Sequence, residues 1–149
     1  MEINSDFVDL LRALNDAGAE YLIVGAYALN YHARPRATID FDVWVNPTAE
    51  NAPRVYRALA AFGAPLHDLR VEELTSDDLI FQIGVAPIRI DVITDISGVR
   101  FADAWPNRVG GLLGGVPAEF LGRGDLIVNK RASGRPKDFA DLDRLERDL

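Results

Sequence analysis

The stretch Thr38-Ile39-Asp40-Phe41-Asp42-Val43-Trp44-Val45 decides how this chain folds. Its alternation predicts a β-strand, because side chains two residues apart on a strand point to the same face. The odd-numbered residues from Ile39 to Val45 form an apolar face that must lie on a core. Asp40 and Asp42 stand on the opposite face, roughly 7 Å apart along the backbone. Such a pair can bind Mg²⁺, which accepts a few carboxylate oxygens and leaves its other positions to water and phosphate. A solvated strand end with two surface acids explains the same short pattern.

Length and composition limit the class of protein. The 149 residues predict one domain, residues 1–149, that buries about two-thirds of its unfolded surface. The absence of cysteine excludes disulfides and thiol chemistry. The N-terminus lacks the basic and apolar parts of a signal peptide, and no apolar run approaches the roughly 20 residues that span a bilayer. We therefore expect a cytoplasmic protein with no membrane contact.

The charge distribution carries more information than its sum. A net charge of −7 argues against a general nucleic-acid binder, whose affinity comes from a basic surface. One basic segment, residues 123–137, nevertheless holds five basic side chains and a single acid, Asp125. Lys130 and Lys137 in it are the two lysines of the chain. A compact ammonium suits a phosphate site, although chance explains two lysines almost as well.

Helical and strand patterns alternate along the chain. Strands are predicted at 21–24, 38–45, 79–83 and 88–93, with short ones near 112–113 and 118–120. Helices are predicted from a cap at Ser5 or Asp6 to about 18, at 26–32, before Gly63, at 101–108, at 124–132 and at 137–149. Residues 64–78 are predicted to be a loop. The alternation, with a hairpin at 79–93, predicts an α/β fold in which helices flank a mixed sheet.

A second acidic strand strengthens the metal hypothesis. In Ile88-Arg89-Ile90-Asp91-Val92-Ile93, Asp91 lies on the face opposite the apolar residues Ile90 and Val92. If this strand neighbours the first one with the apolar faces aligned, Asp91 joins Asp40 and Asp42. Such a trio can hold two Mg²⁺ ions about 3.5 to 4 Å apart. The alternative is that Asp91 forms a surface ion pair with Arg89 or another arginine.

Gly25 lies between a predicted buried strand and a predicted helix. A glycine there lets backbone N–H groups approach an anion, and a helix N-terminus favours negative charge, so a phosphate can bind. Any strand-to-helix turn also favours glycine, which is the structural alternative.

Several of these segments together resemble a known family. The segments are Ile23-Val24-Gly25-Ala26-Tyr27-Ala28-Leu29, Arg34-Pro35-Arg36-Ala37-Thr38, Asp40-Phe41-Asp42-Val43 and Lys130-Arg131-Ala132-Ser133-Gly134-Arg135-Pro136-Lys137-Asp138-Phe139-Ala140-Asp141-Leu142. In this order they resemble the nucleotidyltransferase superfamily with the DNA polymerase β-type fold, most closely its short AbiEii-like branch associated with toxin–antitoxin systems. The resemblance covers residues 21–142 and implies the minimal nucleotidyltransferase fold.

The resemblance implies a catalytic set and a nucleotide-binding set of residues. By this resemblance Asp40, Asp42 and Asp91 would bind two Mg²⁺ ions, and these three residues with Lys130 form the catalytic set. The residues that would contact the nucleotide are Gly25, Ala26, Arg36, Thr38, Lys130, Asp138 and Asp141. In many relatives the position of Ala26 is serine or glycine, so this chain lacks a hydroxyl that would donate to a phosphate.

The residues of the C-terminal motif also have structural readings. Lys137 and Asp141 are four apart and can pair on a helix surface. Pro136 and Asp138 are typical of a first helical turn. We interpret Tyr27, Tyr31 and His32 as packing or rim residues.

The predicted activity is Mg²⁺-dependent transfer of a nucleoside monophosphate from a nucleoside triphosphate to a hydroxyl, with release of pyrophosphate. The resemblance implies a tRNA end or a side chain of a partner protein as the acceptor, and the acidic balance slightly favours the protein. A nucleotide-binding or partner-interaction module of the same fold without turnover is the alternative, and a small hydrolase or phosphatase is a third. Base preference, toxin or antitoxin role and oligomeric state stay open.

Overall fold

The computed structural model describes residues 3–33, 40–85 and 88–147. Within these ranges, the strands are β1 (Tyr21–Val24), β2 (Asp40–Val45), β3 (Ile80–Val85), β4 (Ile88–Ile93), β5 (Val109–Leu113) and β6 (Val116–Phe120). The α-helices are α1 (Ser5–Asp16), α2 (Gly25–His32), α3 (Ala52–Phe62), α4 (Phe101–Ala104), α5 (Arg123–Ser133) and α6 (Pro136–Arg147). Short 3₁₀ helices lie at Val71–Thr75 and Trp105–Asn107.

The strands form one mixed sheet in the order β3-β4-β2-β1-β6-β5. The central strand β2 runs antiparallel to β1 and parallel to β4. The β3–β4 hairpin is antiparallel, as the sequence predicts, and β6 runs parallel to β1. The structure therefore confirms the predicted α/β class with a mixed sheet flanked by helices.

Two apolar layers lie on the two faces of this sheet. Phe41 and Val43 of β2 and Ile90 and Val92 of β4 pack with α1 and α3 in the larger layer. Trp44 belongs to the smaller layer on the other face, with residues of α4, α5 and α6. The alternation read from the sequence thus assigns the faces of β2 and β4 correctly.

The elements depart from the predictions at the N-cap of α1, in the segment 64–78 and at 101–108. In the last of these, the predicted helix is the four-residue α4 followed by the 3₁₀ helix Trp105–Asn107. Helix α1 is capped by Asn4, whose side chain accepts a hydrogen bond from the N–H of Asp6 at 2.8 Å, and not by Ser5 or Asp6. The predicted loop 64–78 contains the 3₁₀ helix Val71–Thr75, because the buried side chains of Leu69 and Leu74 fasten it to the larger apolar layer. Leu69 and Leu74 are five residues apart, which fits neither a helical nor a strand period, so the pattern did not reveal this helix.

Candidate active site

The pairing of β2 with β4 sets the geometry of the acidic residues. Asp42 lies directly across from Asp91, and Asp40 lies directly across from Arg89. Neighbouring strands are roughly 4.8 Å apart, so paired residues on one face are in side-chain contact range. Since Asp40 and Asp42 share the strand face of Trp44, and Asp91 shares that of Ile93, all three acids project on the side of the smaller apolar layer. The predicted grouping of the three carboxylates on one face is confirmed.

Asp42 is the carboxylate whose chemistry this environment changes most. Burial is the largest cause that raises its pKa, followed by the charges of Asp91 and Asp40 and a hydrogen bond with Asp91; Arg89 acts in the opposite direction. Together they raise the pKa of Asp42 from 3.8 to about 6. Near neutral pH the protein therefore holds an anion at Asp42 that lacks sufficient compensation. A cation bound at this point would remove that cost.

Gly25 packs directly against Asp42. A Cβ built at Gly25 would lie 2.4 Å from Oδ2 of Asp42, so a side chain at this position would displace the carboxylate. The backbone of Gly25 also has φ +65°, a conformation that residues with a side chain rarely adopt. Helix α2 begins at this residue, and its N-cap Val24 provides no side-chain hydrogen bond to the first turn. The N-terminus of α2 and the carboxylate of Asp42 are thus held side by side.

Aromatic contacts fix α2 in this position. Tyr27 stands edge-on to Phe41 at a centroid distance of 5.3 Å. Tyr31 stacks on Phe120 at 4.2 Å, and Nε2 of His32 lies 2.7 Å from the carbonyl oxygen of Leu121. Burial lowers the pKa of His32, which favours the neutral ring. Tyr27, Tyr31 and His32 hold the helix, which confirms their interpretation as packing residues.

Arg89 lies among the three carboxylates. Its Nη2 donates to Oδ2 of Asp40 at 3.2 Å, and its Nε lies 3.4 Å from Oδ1 of Asp91. The second contact is an ion pair without hydrogen-bond geometry, since Nε and Oδ1 are buried and neither has a hydrogen-bond partner among the described residues. The alternative ion pair named from the sequence therefore exists, and Asp40 takes part in it as well.

The donor set suits Mg²⁺, although the side chains do not converge on one point. Carboxylate oxygens are the ligands that Mg²⁺ prefers, and the buried Oδ1 of Asp91 and the unneutralised Asp42 are both suited to accept a cation. As they stand, no three acidic or histidine side chains in the described part of the chain are close enough to hold an ion. Asp40, Asp42 and Asp91 are the residues that would hold the metal.

Lys130 lies in a second charged cluster, between α5 and α6. Its side chain is only 7% exposed, and its Nζ is 3.1 Å from Oδ2 of Asp141 and 3.5 Å from Oδ1 of Asp138. Asp138 also accepts hydrogen bonds from the backbone N–H of Arg135 at 3.1 Å and from its Nε at 2.9 Å. Burial raises the pKa of Asp138, but these hydrogen bonds and the positive charge of Lys130 outweigh it and lower the pKa to about 2. The cluster joins the two helices.

The charged cluster between α5 and α6 shows which structural contacts the residues of the C-terminal motif make. Pro136 begins α6 and Asp138 lies in its first turn, as the structural reading predicts. The sequence suggested a surface pair of Asp141 with Lys137. In the structure Asp141 is buried and pairs with Lys130. The role of Lys130, Asp138 and Asp141 toward a nucleotide remains a prediction, because all three are buried and engaged with one another.

The remaining predicted site residues divide into two groups. Ala26 is in the first turn of α2, next to Gly25, where its backbone N–H belongs to the helix N-terminus. Arg36 and Thr38 lie outside the described residues. Arg89 also belongs to the site, although the sequence indicates it only as a partner of Asp91 in a surface ion pair. Its place two residues before Asp91 on the same strand face was the available signal.

Comparisons with known proteins bear on the fold. No known protein family matches the sequence, and no curated protein matches it. The structure is similar to the crystal structure of a protein from Thermotoga maritima named "putative nucleotidyltransferase", with a TM-score of 0.62 and 13% sequence identity over 99% of this chain and 97% of that one. At this identity the likeness shows the fold, which is nucleotidyltransferase-like. The AbiEii-like branch stays a prediction. Within the described residues no helix is long and apolar enough to cross a membrane.

Proposed function

We propose that this protein is a Mg²⁺-dependent nucleotidyltransferase whose reaction centre is formed by Asp40, Asp42 and Asp91. The observation that carries the proposal is the contact of Gly25 with Asp42, directly across from Asp91. It joins the N-terminus of a helix, which favours phosphate, to a carboxylate pair, which favours a cation. A metal–triphosphate complex has both charges and fits between these two features.

The proposed reaction joins an acceptor oxygen to the α-phosphorus of a nucleoside triphosphate. The bond between the α-phosphorus and the oxygen of the β-phosphate breaks, pyrophosphate leaves, and the proton of the hydroxyl passes to a carboxylate of the trio. When bound, Mg²⁺ would lower the pKa of the hydroxyl and offset the charge of the triphosphate. Asp40, Asp42 and Asp91 would hold the metal, and the N–H groups of Gly25 and Ala26 would donate to the phosphates. Arg36, Thr38, Lys130, Asp138 and Asp141 complete the proposed nucleotide contacts.

The proposed acceptor is a hydroxyl of a partner protein or of a tRNA end, in the setting of a toxin–antitoxin pair. The net charge of −7 favours a protein, because an acidic surface repels the phosphates of RNA. The basic segment 123–137 supports the tRNA alternative. These two acceptors give products of different size and chemistry and are therefore easy to separate.

The test is transfer of label from each of four α-³²P-labelled nucleoside triphosphates in the presence of Mg²⁺, with total tRNA and with the proteins encoded beside this chain as acceptors. Asp42→Asn should abolish transfer, whereas Asp68→Asn, which alters a carboxylate with 89% exposure, should leave it unchanged. Transfer that survives in Asp42→Asn refutes the proposed centre.

A specific observation favours one second candidate. Arg89 forms ion pairs with Asp40 and Asp91 and so offsets part of the negative charge of the site without metal, as expected of a nucleotide-binding or partner-interaction module that has lost turnover. Nucleotide binding without transfer to any acceptor would support this module. Release of free phosphate or nucleoside monophosphate without an acceptor would instead identify a hydrolase.

A further inference from the structure

We propose that Arg89 is a built-in counter-ion of the carboxylate site, which a divalent cation must displace in order to bind. This inference rests on the proposed function, because it concerns the metal site of the same reaction. It assigns to Arg89 a positioning role: the guanidinium holds Asp40 and Asp91 in place before the metal arrives, and its departure makes their oxygens available.

The register of the sheet places Arg89 where such a competitor must stand. It lies across from Asp40 and two residues before Asp91, so its side chain projects on the face that carries all three acids. Its guanidinium contacts carboxylates on both strands, at 3.2 Å to Asp40 and 3.4 Å to Asp91. A cation shared by Asp40 and Asp91 would have to approach the same oxygens. Arginine and metal therefore exclude one another at this point.

The contacts of Arg89 are also weak enough to be exchanged. The contact with Asp91 lacks hydrogen-bond geometry, because Nε of Arg89 and Oδ1 of Asp91 have no hydrogen-bond partner within the described ranges. The other contact joins side chains that are 35% and 40% exposed, so water competes for both groups. A guanidinium so near the surface can turn into solvent, and the Asp91 carboxylate, which is only 13% exposed, then needs another cation. A bound Mg²⁺ would be a better counter-ion for the Asp91 carboxylate than Arg89, which contacts it without hydrogen-bond geometry.

The position of Arg89 also accounts for the lack of a ready-made metal site among the three acids. The three carboxylates share one strand face, yet no three acidic or histidine side chains in the described residues are close enough to hold an ion. The guanidinium of Arg89 contacts both Asp40 and Asp91, so it occupies the position that a cation shared by these two carboxylates would take. Once it turns away, the two strands already have the register that a shared cation needs.

The test measures Mn²⁺ binding to the full chain without nucleotide, by electron paramagnetic resonance of the free ion. Arg89→Met removes the charge but keeps an unbranched stem, and we expect it to bind Mn²⁺ about three- to tenfold more tightly, as loss of two weak ion pairs implies. Arg108→Met is the matched control, because Arg108 is 36% exposed and paired with Glu119 at 3.4 Å, and its affinity should equal that of the wild type. Asp91→Asn should lose the binding, which assigns the signal to this site.

The outcomes separate this inference from the proposed function. Equal or weaker binding by Arg89→Met, with binding by the wild type, overturns the counter-ion role and leaves the metal site standing. Binding by neither protein at millimolar Mn²⁺ overturns both. A second measurement needs no variant to fold well: the ¹⁵N resonance of the Arg89 Nε–H group in the wild type, recorded with and without saturating Mg²⁺. It should move to the position of a solvated arginine, and an unchanged resonance in the presence of bound Mg²⁺ refutes displacement.

Discussion

Replacing Asp42 by asparagine should stabilise the metal-free protein at neutral pH, although it should destroy the proposed activity. The carboxylate is half-buried, faces Asp91 and Asp40, and contacts Gly25. Asparagine has nearly the same shape and carries no charge, so it avoids the repulsion without opening a cavity. Its amide N–H₂ can also donate to Asp91, which replaces the hydrogen bond that a protonated Asp42 would make.

The shifted pKa sets the size and the pH range of this effect. A rise from 3.8 to about 6 corresponds to about 3 kcal/mol of unfolding free energy. Below pH 3.8 Asp42 is protonated in both folded and unfolded chains, so the wild type and the variant should be equally stable. Between pH 3.8 and about 6 the unfolded chain releases the proton first, and the wild type loses stability. Above about pH 6 the difference should be constant.

Urea unfolding at pH 4, 5, 6, 7 and 8 in the presence of a chelator measures this difference. The fluorescence of Trp44, which is 1% exposed, should report the transition. At pH 8 the variant should be more stable by about 3 kcal/mol, or roughly 6 to 12 °C in melting temperature for a chain of this size. Asp68→Asn, in which an exposed carboxylate is lost, should change stability by less than about 0.5 kcal/mol at every pH.

Two results would refute this reasoning. An Asp42→Asn protein no more stable than the wild type at pH 8 would mean that the charge of Asp42 does not destabilise the folded state. A difference of equal size at pH 4 and pH 8 would mean that asparagine stabilises for a reason unrelated to charge. Addition of 10 mM Mg²⁺ should narrow the gap at pH 8, because a bound cation stabilises only the wild type.

Three further predictions concern stability. Lys130→Met should cost about 3 to 5 kcal/mol in urea unfolding, since it leaves Asp138 and Asp141 buried beside each other without their ammonium, and adding Asp141→Asn should recover part of that loss. The lowered pKa of Asp138 contributes about 2 kcal/mol of stability above pH 3.8, which is lost as the pH falls toward 2, so Asp138→Asn should flatten the acid-unfolding curve in this window. Gly25→Ala should lower the melting temperature more than Gly18→Ala, because φ is +65° and +66° at the two positions but only the first Cβ meets an atom within 4 Å.

The alternation in residues 38–45 and 88–93 determined which faces of the two strands are apolar, and the structure follows it from Asp40 onward in β2. This prediction succeeds because the period of two on a strand is a local property that does not depend on the partner. The hairpin β3–β4 follows for a similar reason, since its two strands follow one another closely in the sequence. Helix α1 is likewise fixed by its apolar spacing, and only its cap, Asn4, differs.

Contacts between residues far apart in the sequence could be predicted only in part. That Asp91 stands across from Asp42 depends on a parallel pairing of strands about 50 residues apart, which the sequence permits but does not require. The burial of Lys130 with Asp138 and Asp141 depends on how α5 packs against α6, whereas the sequence showed only a run of charges. Long-range pairing and helix packing are decided by the whole core, so no local pattern contains them.

The sequence by itself thus determined that two acids lie on the polar face of one strand and a third on that of another, and that a glycine turn precedes a helix. Only the tertiary structure decided that these three elements meet, with Gly25 against Asp42 and with Arg89 between Asp40 and Asp91. The physical reason is that a carboxylate's chemistry depends on its burial and on the charges within a few ångströms. Those neighbours come from separate strands and a helix, and the fold alone brings them together.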